Sequence, residues 1–284
     1  MRLIILTSVV ALLSLSQWGD YKMSIKPGTG LFSWSVSSIF EEPELLFHTM
    51  RMLEIDTLYQ EFSTDTQLEA ILGFLEQAQK QNVDVYYLAG TPEWGIDKEA
   101  KKMLAYIDHI IKLNQSVPKE VKLKGIVLDV EPYLTDDWDE NQEIVMSQYV
   151  SAMQKAYQRA RENDLEVIIC IPYFYDTKGY EKQLEELIRD SCDMVAVMNY
   201  YKEKEEDHIT KEMELAHLYN KGIIQIYELK KPGTHDLTDK STYYHEGIDA
   251  LLESFRELQS FANYNKFNFA LHDYKALKEV IESE

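Results

Sequence analysis

The sequence predicts an α/β fold, a single closed (β/α)8 barrel of the TIM type. Three observations lead there. Short apolar or β-branched runs alternate with longer stretches of helical spacing along the 284 residues. Such alternation implies parallel strands joined by crossover helices. It repeats eight times in about 255 residues, the size of such a barrel. The competing open, doubly wound sheet usually carries a Gly-rich phosphate turn after its first strand. Here Gly28-Thr29-Gly30 precedes the first strand, so it reads as a turn.

Each unit is legible in order. Gly30–Ser35 is the first strand and Pro43–Leu53 its helix. Thr57–Phe62 follows, with Thr66–Gln81 as its helix and Thr64 and Asp65 as N-cap candidates. Val85–Ala89 leads to Asp97–Asn114. Gly125–Glu131 leads to Gln142–Arg161, whose Val145, Tyr149, Ala152, Met153, Ala156 and Ala160 form one apolar face. Glu166–Pro172 pairs with Tyr180–Asp190, and Met194–Tyr200 with Lys211–Asn220. Gly222 stands where a helix stop is expected. Ile223–Glu228 pairs with Tyr244–Ala262, and Asn268–His272 with Tyr274–Glu282. The charged run Glu203–Asp207 reads as a solvated loop.

The N-terminus precedes this pattern. Arg2 leads an apolar stretch, Leu3 to Leu15, that is short for a spanning helix of about 20 residues. A basic start, an apolar centre and small Ser14 and Ser16 fit a signal segment over residues 1–22, with the barrel over 27–284. A misassigned start, with Met23 as the first residue, is the other reading. The expectation is a secreted or periplasmic protein, monomeric, with no further membrane association. Lys+Arg 29 against Asp+Glu 49 gives a net charge of −20, which argues against nucleic-acid partners and anionic membranes. Two cysteines, Cys170 and Cys192, are too few for a disulfide scaffold, although a bridge between them is open after export.

In such barrels chemistry sits at the C-terminal ends of the strands. Those ends are rich in aromatics and carboxylates: Trp34, Glu61, Trp94, Glu131, Trp138, Tyr173, Asn199, Tyr200, Glu228 and His272. Aromatic faces stack on the C–H faces of sugar rings, while carboxylates and amides bond hydroxyls, so the combination suits a carbohydrate cleft. Trp34, Glu61, Trp94, Tyr173, Asn199 and His272 are the candidate substrate-binding residues. Capping of the barrel is the other use of the aromatics.

The sharpest feature is Gly125-Ile126-Val127-Leu128-Asp129-Val130-Glu131-Pro132-Tyr133. Strand side chains alternate faces, so Asp129 and Glu131 point the same way, about 6.6 Å apart. Burying a lone carboxylate is costly, and two neighbours cannot both ionise cheaply, so one pKa rises. A raised pKa is what a general acid at neutral pH needs. Glu131, nearer the mouth, is the expected acid and Asp129 its partner. An internal hydrogen-bonded pair and a pair of metal ligands are the other uses of two such acids. No metal or other cofactor is expected: strand one lacks His-x-His. Lys202, just past strand six, is a poor Schiff-base candidate, and no G-x-S-x-G elbow occurs.

The strand-four string resembles that of the family 18 glycoside hydrolases, the chitinase-like barrels, whose D-x-x-D-x-D-x-E ends in the general acid. Asp129 and Glu131 match its last D-x-E, and Met198-Asn199-Tyr200 matches the family's M-x-Y. Three positions depart: Val127 replaces an acid, Tyr201 replaces an Asp, and only Gly90 stands near the Ser-x-Gly-Gly of strand three. The resemblance implies hydrolysis beside an N-acetylhexosamine, in which the sugar's own acetamido group attacks the anomeric carbon. Asp129 would orient the acetamido, Tyr200 would bond it, and Glu131 would protonate the leaving oxygen. The layout also resembles retaining glycosidases with an acid/base in Asn-Glu-Pro on strand four and a nucleophile on strand seven. Glu131 and Glu228 would fill those roles, with Val130 in place of the Asn. Leu-Asp-Val-Glu-Pro-Tyr further resembles bacterial barrel proteins of no assigned activity. A sugar-binding barrel without catalysis is the alternative that Val127 motivates, and a lyase or phosphodiesterase is a third.

Overall fold

The structure is a computed structural model that describes residues 28–283. Eight parallel strands close in the order β1 to β8, each hydrogen-bonded to its sequence neighbour and β8 back to β1. They are β1 Gly30–Ser33, β2 Thr57–Glu61, β3 Asp84–Ala89, β4 Gly125–Leu128, β5 Glu166–Pro172, β6 Met194–Met198, β7 Gly222–Glu228 and β8 Phe267–His272. This is the expected (β/α)8 barrel. The proposed signal segment, residues 1–22, lies outside the described residues.

Period-two alternation divides the strand side chains into two layers. Phe32, Tyr59, Leu88, Val127, Ile168, Cys170, Ala196, Ile224, Ile226 and Ala270 fill the barrel interior. Their neighbours, such as Ile126, Leu128, Val167, Ile169, Val195 and Val197, pack outward under the helices. Near-continuous apolar strands are what two covered faces require. The helices are α1 Ser37–Phe40, α2 Pro43–Met52, α3 Leu68–Lys80, α4 Glu93–Ile96, α5 Lys101–Ser116, α6 Asp136–Arg161, α7 Glu181–Asp190, α8 Glu205–Leu218, α9 Gly247–Ala262 and α10 Tyr274–Ser283.

Several boundaries differ from expectation for identifiable reasons. The fourth strand ends at Leu128, although Asp129 N–H still donates to Ala89 O at 2.9 Å and continues the ladder by one bond. Helix α6 starts at Asp136 rather than Gln142. It contains a break at Asn141 (φ −142°, ψ 41°), so its first segment, with Trp138, is separated from the periodic stretch. Helix α8 starts at Glu205, inside the run read as a loop, and Glu205 is buried. Three acids in its first turn suit the positive end of the helix dipole. Thr64 and Asp65 do not cap α3, whose N-cap is Gln67 with no side-chain cap bond. Gly222 does not stop a helix. It opens β7, where an added Cβ would stand 2.4 Å from Met194 Cγ, and Asn220 (φ 56°) makes the turn after α8. Cys170 faces the interior and Cys192 packs outside; both are free and buried, so the bridge is not formed.

Candidate active site

The parity of β4 places the central pair. Val127 is buried in the barrel interior, so the continuing chain directs Asp129 and then Glu131 to the same side, above it. Asp129 is half-buried, but its Oδ1 is fully covered and meets no protein donor in hydrogen-bond geometry. The Cys170 thiol, a weak donor, lies beside it. Burial and the charge of Glu131 push the Asp129 carboxyl up to about 7, while His272, Lys230 and Cys170 hold it down. The inner acid, Asp129, is thus raised by its enclosure and by the charge of its neighbour. Glu131 is half-buried and accepts a hydrogen bond at Oε2 from the Tyr133 hydroxyl.

Gly90 makes this arrangement possible. A Cβ there would stand 1.7 Å from the Asp129 carbonyl oxygen, so β3 approaches the acid-bearing segment more closely than any side chain allows.

Tyr200 lies two residues past the end of β6 and packs on the interior cluster with Met194, Ala196 and Met198. Burial raises its hydroxyl pKa, and the charges of Glu228, Asp129 and Glu131 raise it further. Its ring lies 6.3 Å from that of His272, nearly parallel at 21°. His272, at the end of β8, bonds Glu228 through Nδ1 (2.8 Å) and meets Trp34 Nε1 through Nε2 (3.1 Å). Glu228 also accepts the backbone N–H groups of Leu229 and Lys230 at Oε1. Lys230 pairs with Asp273 at 3.4 Å. Asp129, Glu131, Tyr200, Glu228, His272 and Trp34 thus share the C-terminal mouth. Glu61 is half-buried at the end of β2, on the inward parity of Tyr59, and burial raises its pKa.

Three expected substrate contacts lie elsewhere. Asn199 is 3% exposed and on the outward parity. Its amide donates to Glu205 O and Gln225 Oε1, and its Oδ1 meets His208 Nδ1, so it joins β6 and β7 to α8. Trp94 is 5% exposed in α4 and packs on Tyr106, with ring centroids 5.1 Å apart. Tyr173 is half-buried against the outer layer and stacks on His208 at 4.1 Å, a rim position. The sequence expectations did not include Cys170, Tyr133 and Lys230. The inward parity of β5 and the two-residue spacing of Tyr133 from Glu131 are signals for the first two; no local pattern marks Lys230.

Among the described residues, no three or more His, Cys, Asp and Glu side chains cluster as metal ligands. The arrangement offers an acid at the mouth, a second carboxyl protonated near neutrality, a buried phenol and an indole face.

No family model matches the chain, and no curated protein resembles it in sequence. Solved structures do resemble it in fold. A candidate alpha-L-fucosidase from Bacteroides thetaiotaomicron superposes with a TM-score of 0.63 at 12% identity, over 90% of this chain and 91% of that one. A chitinase from the same organism gives 0.57 at 13% identity, over 91% and 96%. The class V chitinase from Nicotiana tobaccum gives 0.55 at 12% identity, over 90% and 97%. These structures share the closed (β/α)8 barrel of this chain.

Proposed function

We propose that the protein is a glycoside hydrolase that cleaves a glycosidic bond beside an N-acetylhexosamine, acting after export. The observation that carries this reading is the inward acid pair, with its inner member titrating up to about 7. Glu131, at the mouth, protonates the leaving oxygen. Asp129, largely protonated below neutrality, holds the acetamido group in place as its carbonyl oxygen attacks the anomeric carbon, and Tyr200 bonds that group. Water then opens the cyclic intermediate, with Glu131 taking its proton. The chitinases among the fold neighbours support the substrate class.

The retaining alternative, with Glu228 as nucleophile, has less support. Val130 packs in the outer layer and cannot serve as the missing Asn, and Glu228 is engaged at both oxygens.

Turnover of N-acetylglucosamine oligomers tests the proposal. The wild type is expected to release reducing ends, and Glu131→Gln to lose roughly 10²–10⁴-fold in kcat, the usual value of a general acid. Binding of the oligomers by both proteins without release from either would replace hydrolysis with non-catalytic sugar binding.

A further inference from the structure

Between β7, β8 and β1 runs a hydrogen-bond chain that the mechanism above does not use. Glu228 is 4% exposed. Its Oε1 accepts the N–H of Leu229 at 3.0 Å and of Lys230 at 2.8 Å. Its Oε2 lies 2.8 Å from His272 Nδ1, and His272 Nε2 lies 3.1 Å from Trp34 Nε1. An indole N–H can only donate, so the imidazole Nε2 is the acceptor and carries no proton. The ring proton therefore sits on Nδ1 and is donated to Glu228. The carboxylate receives three N–H donors, two from backbone that cannot move aside. Phe32 packs an edge against the imidazole, with centroids 5.5 Å apart, and Tyr200 lies beside it.

The geometry points to Glu228 and His272 as positioning residues that fix the Trp34 indole, so that Trp34 presents its face to a pyranose ring and spends its N–H on the protein. Trp34 is half-buried against the interior cluster. An indole held this way reads the apolar C–H side of a sugar and offers no donor to its hydroxyls. The sugar half of this inference rests on the proposed function; the hydrogen-bond chain does not.

The two halves are tested separately. In ¹⁵N-histidine-labelled wild type, long-range ¹H–¹⁵N spectra are expected to show His272 neutral with the proton on Nδ1. Glu228→Gln offers one oxygen where three donors converge. Its amide must either turn a donor toward two backbone N–H groups or donate to Nδ1. The expected result is the opposite tautomer, with a shifted Trp34 indole resonance, identified by its loss in Trp34→Phe. His272→Gln, whose carbonyl can accept the indole N–H, is expected to restore the Trp34 resonance that His272→Leu displaces. An Nε2-protonated wild type, or a Glu228→Gln spectrum unchanged at both residues, overturns the chain. For the sugar half, Trp34→Ala is expected to weaken oligosaccharide binding roughly tenfold, while Trp34→Phe, which keeps an aromatic face, stays within about threefold. Equal losses in both variants overturn the face-only role. Covalent trapping of Glu228 by a fluorosugar overturns the positioning role. A wild type that binds no glycan yet shows the expected tautomers sinks the sugar reading and leaves the chain standing.

Discussion

Asp129 carries the highest stakes of any single residue, because its ionisation is raised by two causes, one of which a substitution removes. Burial is the larger and Glu131 the second. Glu131→Gln takes away the neighbouring negative charge and leaves the burial. The Asp129 titration is then expected to move below the wild-type position near 7, read from the ¹³C carboxyl shift against pH. No movement would mean that the two acids do not share a field. The linkage has the same sign for stability: a carboxyl whose folded pKa is raised favours the fold below its unfolded pKa, and loses that contribution as pH climbs toward 7. Gly90 is the second test at this scale. With 1.7 Å between a new Cβ and the Asp129 carbonyl, Gly90→Ala must push the acid segment off β3. Destabilisation of roughly 1–3 kcal/mol is expected in urea titration, together with reduced turnover. Parity makes Asp129, Glu131 and Tyr200 legible from sequence. The same parity, applied strictly, puts Asn199 and Tyr173 outside, since each follows an inward residue; nearness to a motif is no substitute for the side of the strand. Trp94 has no such signal, because a one-turn helix carries no period.

Among the elements, α8 holds the acids that are hardest to foresee. A run of charges reads as solvated, yet helical spacing brings Glu205 and Glu212 inward. Glu205 accepts bonds from Tyr243 (2.7 Å) and from Ser254, so its burial is compensated. Glu212 is fully buried, and no side chain donates a hydrogen bond to either carboxylate oxygen. Burial pushes it up to about 8, held back by its own backbone N–H and by Lys211 and helped by Asp176. The unfolded chain ionises near pH 4.3, whereas the fold keeps Glu212 protonated up to about 8. Stability is therefore drained between those limits, by up to about 1.4 kcal/mol per pH unit. Glu212→Met keeps the length and helix propensity without the charge. A gain of roughly a few kcal/mol at pH 8.5 and little gain at pH 4.5 is expected from paired denaturation curves. Equal gains at both values would assign the effect to packing.

For the molecule as a whole, the barrel is legible because both faces of every strand are covered, which writes apolar runs into the sequence at regular intervals. The closing contact is less so: β1 is four residues long and meets β8 at only two register pairs, Gly30 with Ala270 and Leu31 with Leu271. The chain carries a net charge of −20. The described residues also form surface ion pairs, such as Arg159 with Asp108 at 2.7 Å and Arg256 with Glu253 at 2.7 Å. Salt screens both the repulsion and the pairs, so the two act in opposite directions. Exposed pairs contribute about 0–1 kcal/mol each and act over a few ångströms. The surplus charge acts across the whole surface, where the screening length falls from about 30 Å at 0.01 M to about 8 Å at 0.15 M. Repulsion outweighs the pairs in so unbalanced a chain. The melting temperature at pH 7 is therefore expected to rise by a few degrees when NaCl is raised from 10 to 150 mM. The rise should shrink at pH 4.5, where many carboxylates are neutral. Calorimetric scans at the two salt levels and two pH values check it, and a melting temperature that falls with salt at pH 7 would show that the local pairs, and not the net charge, govern this surface.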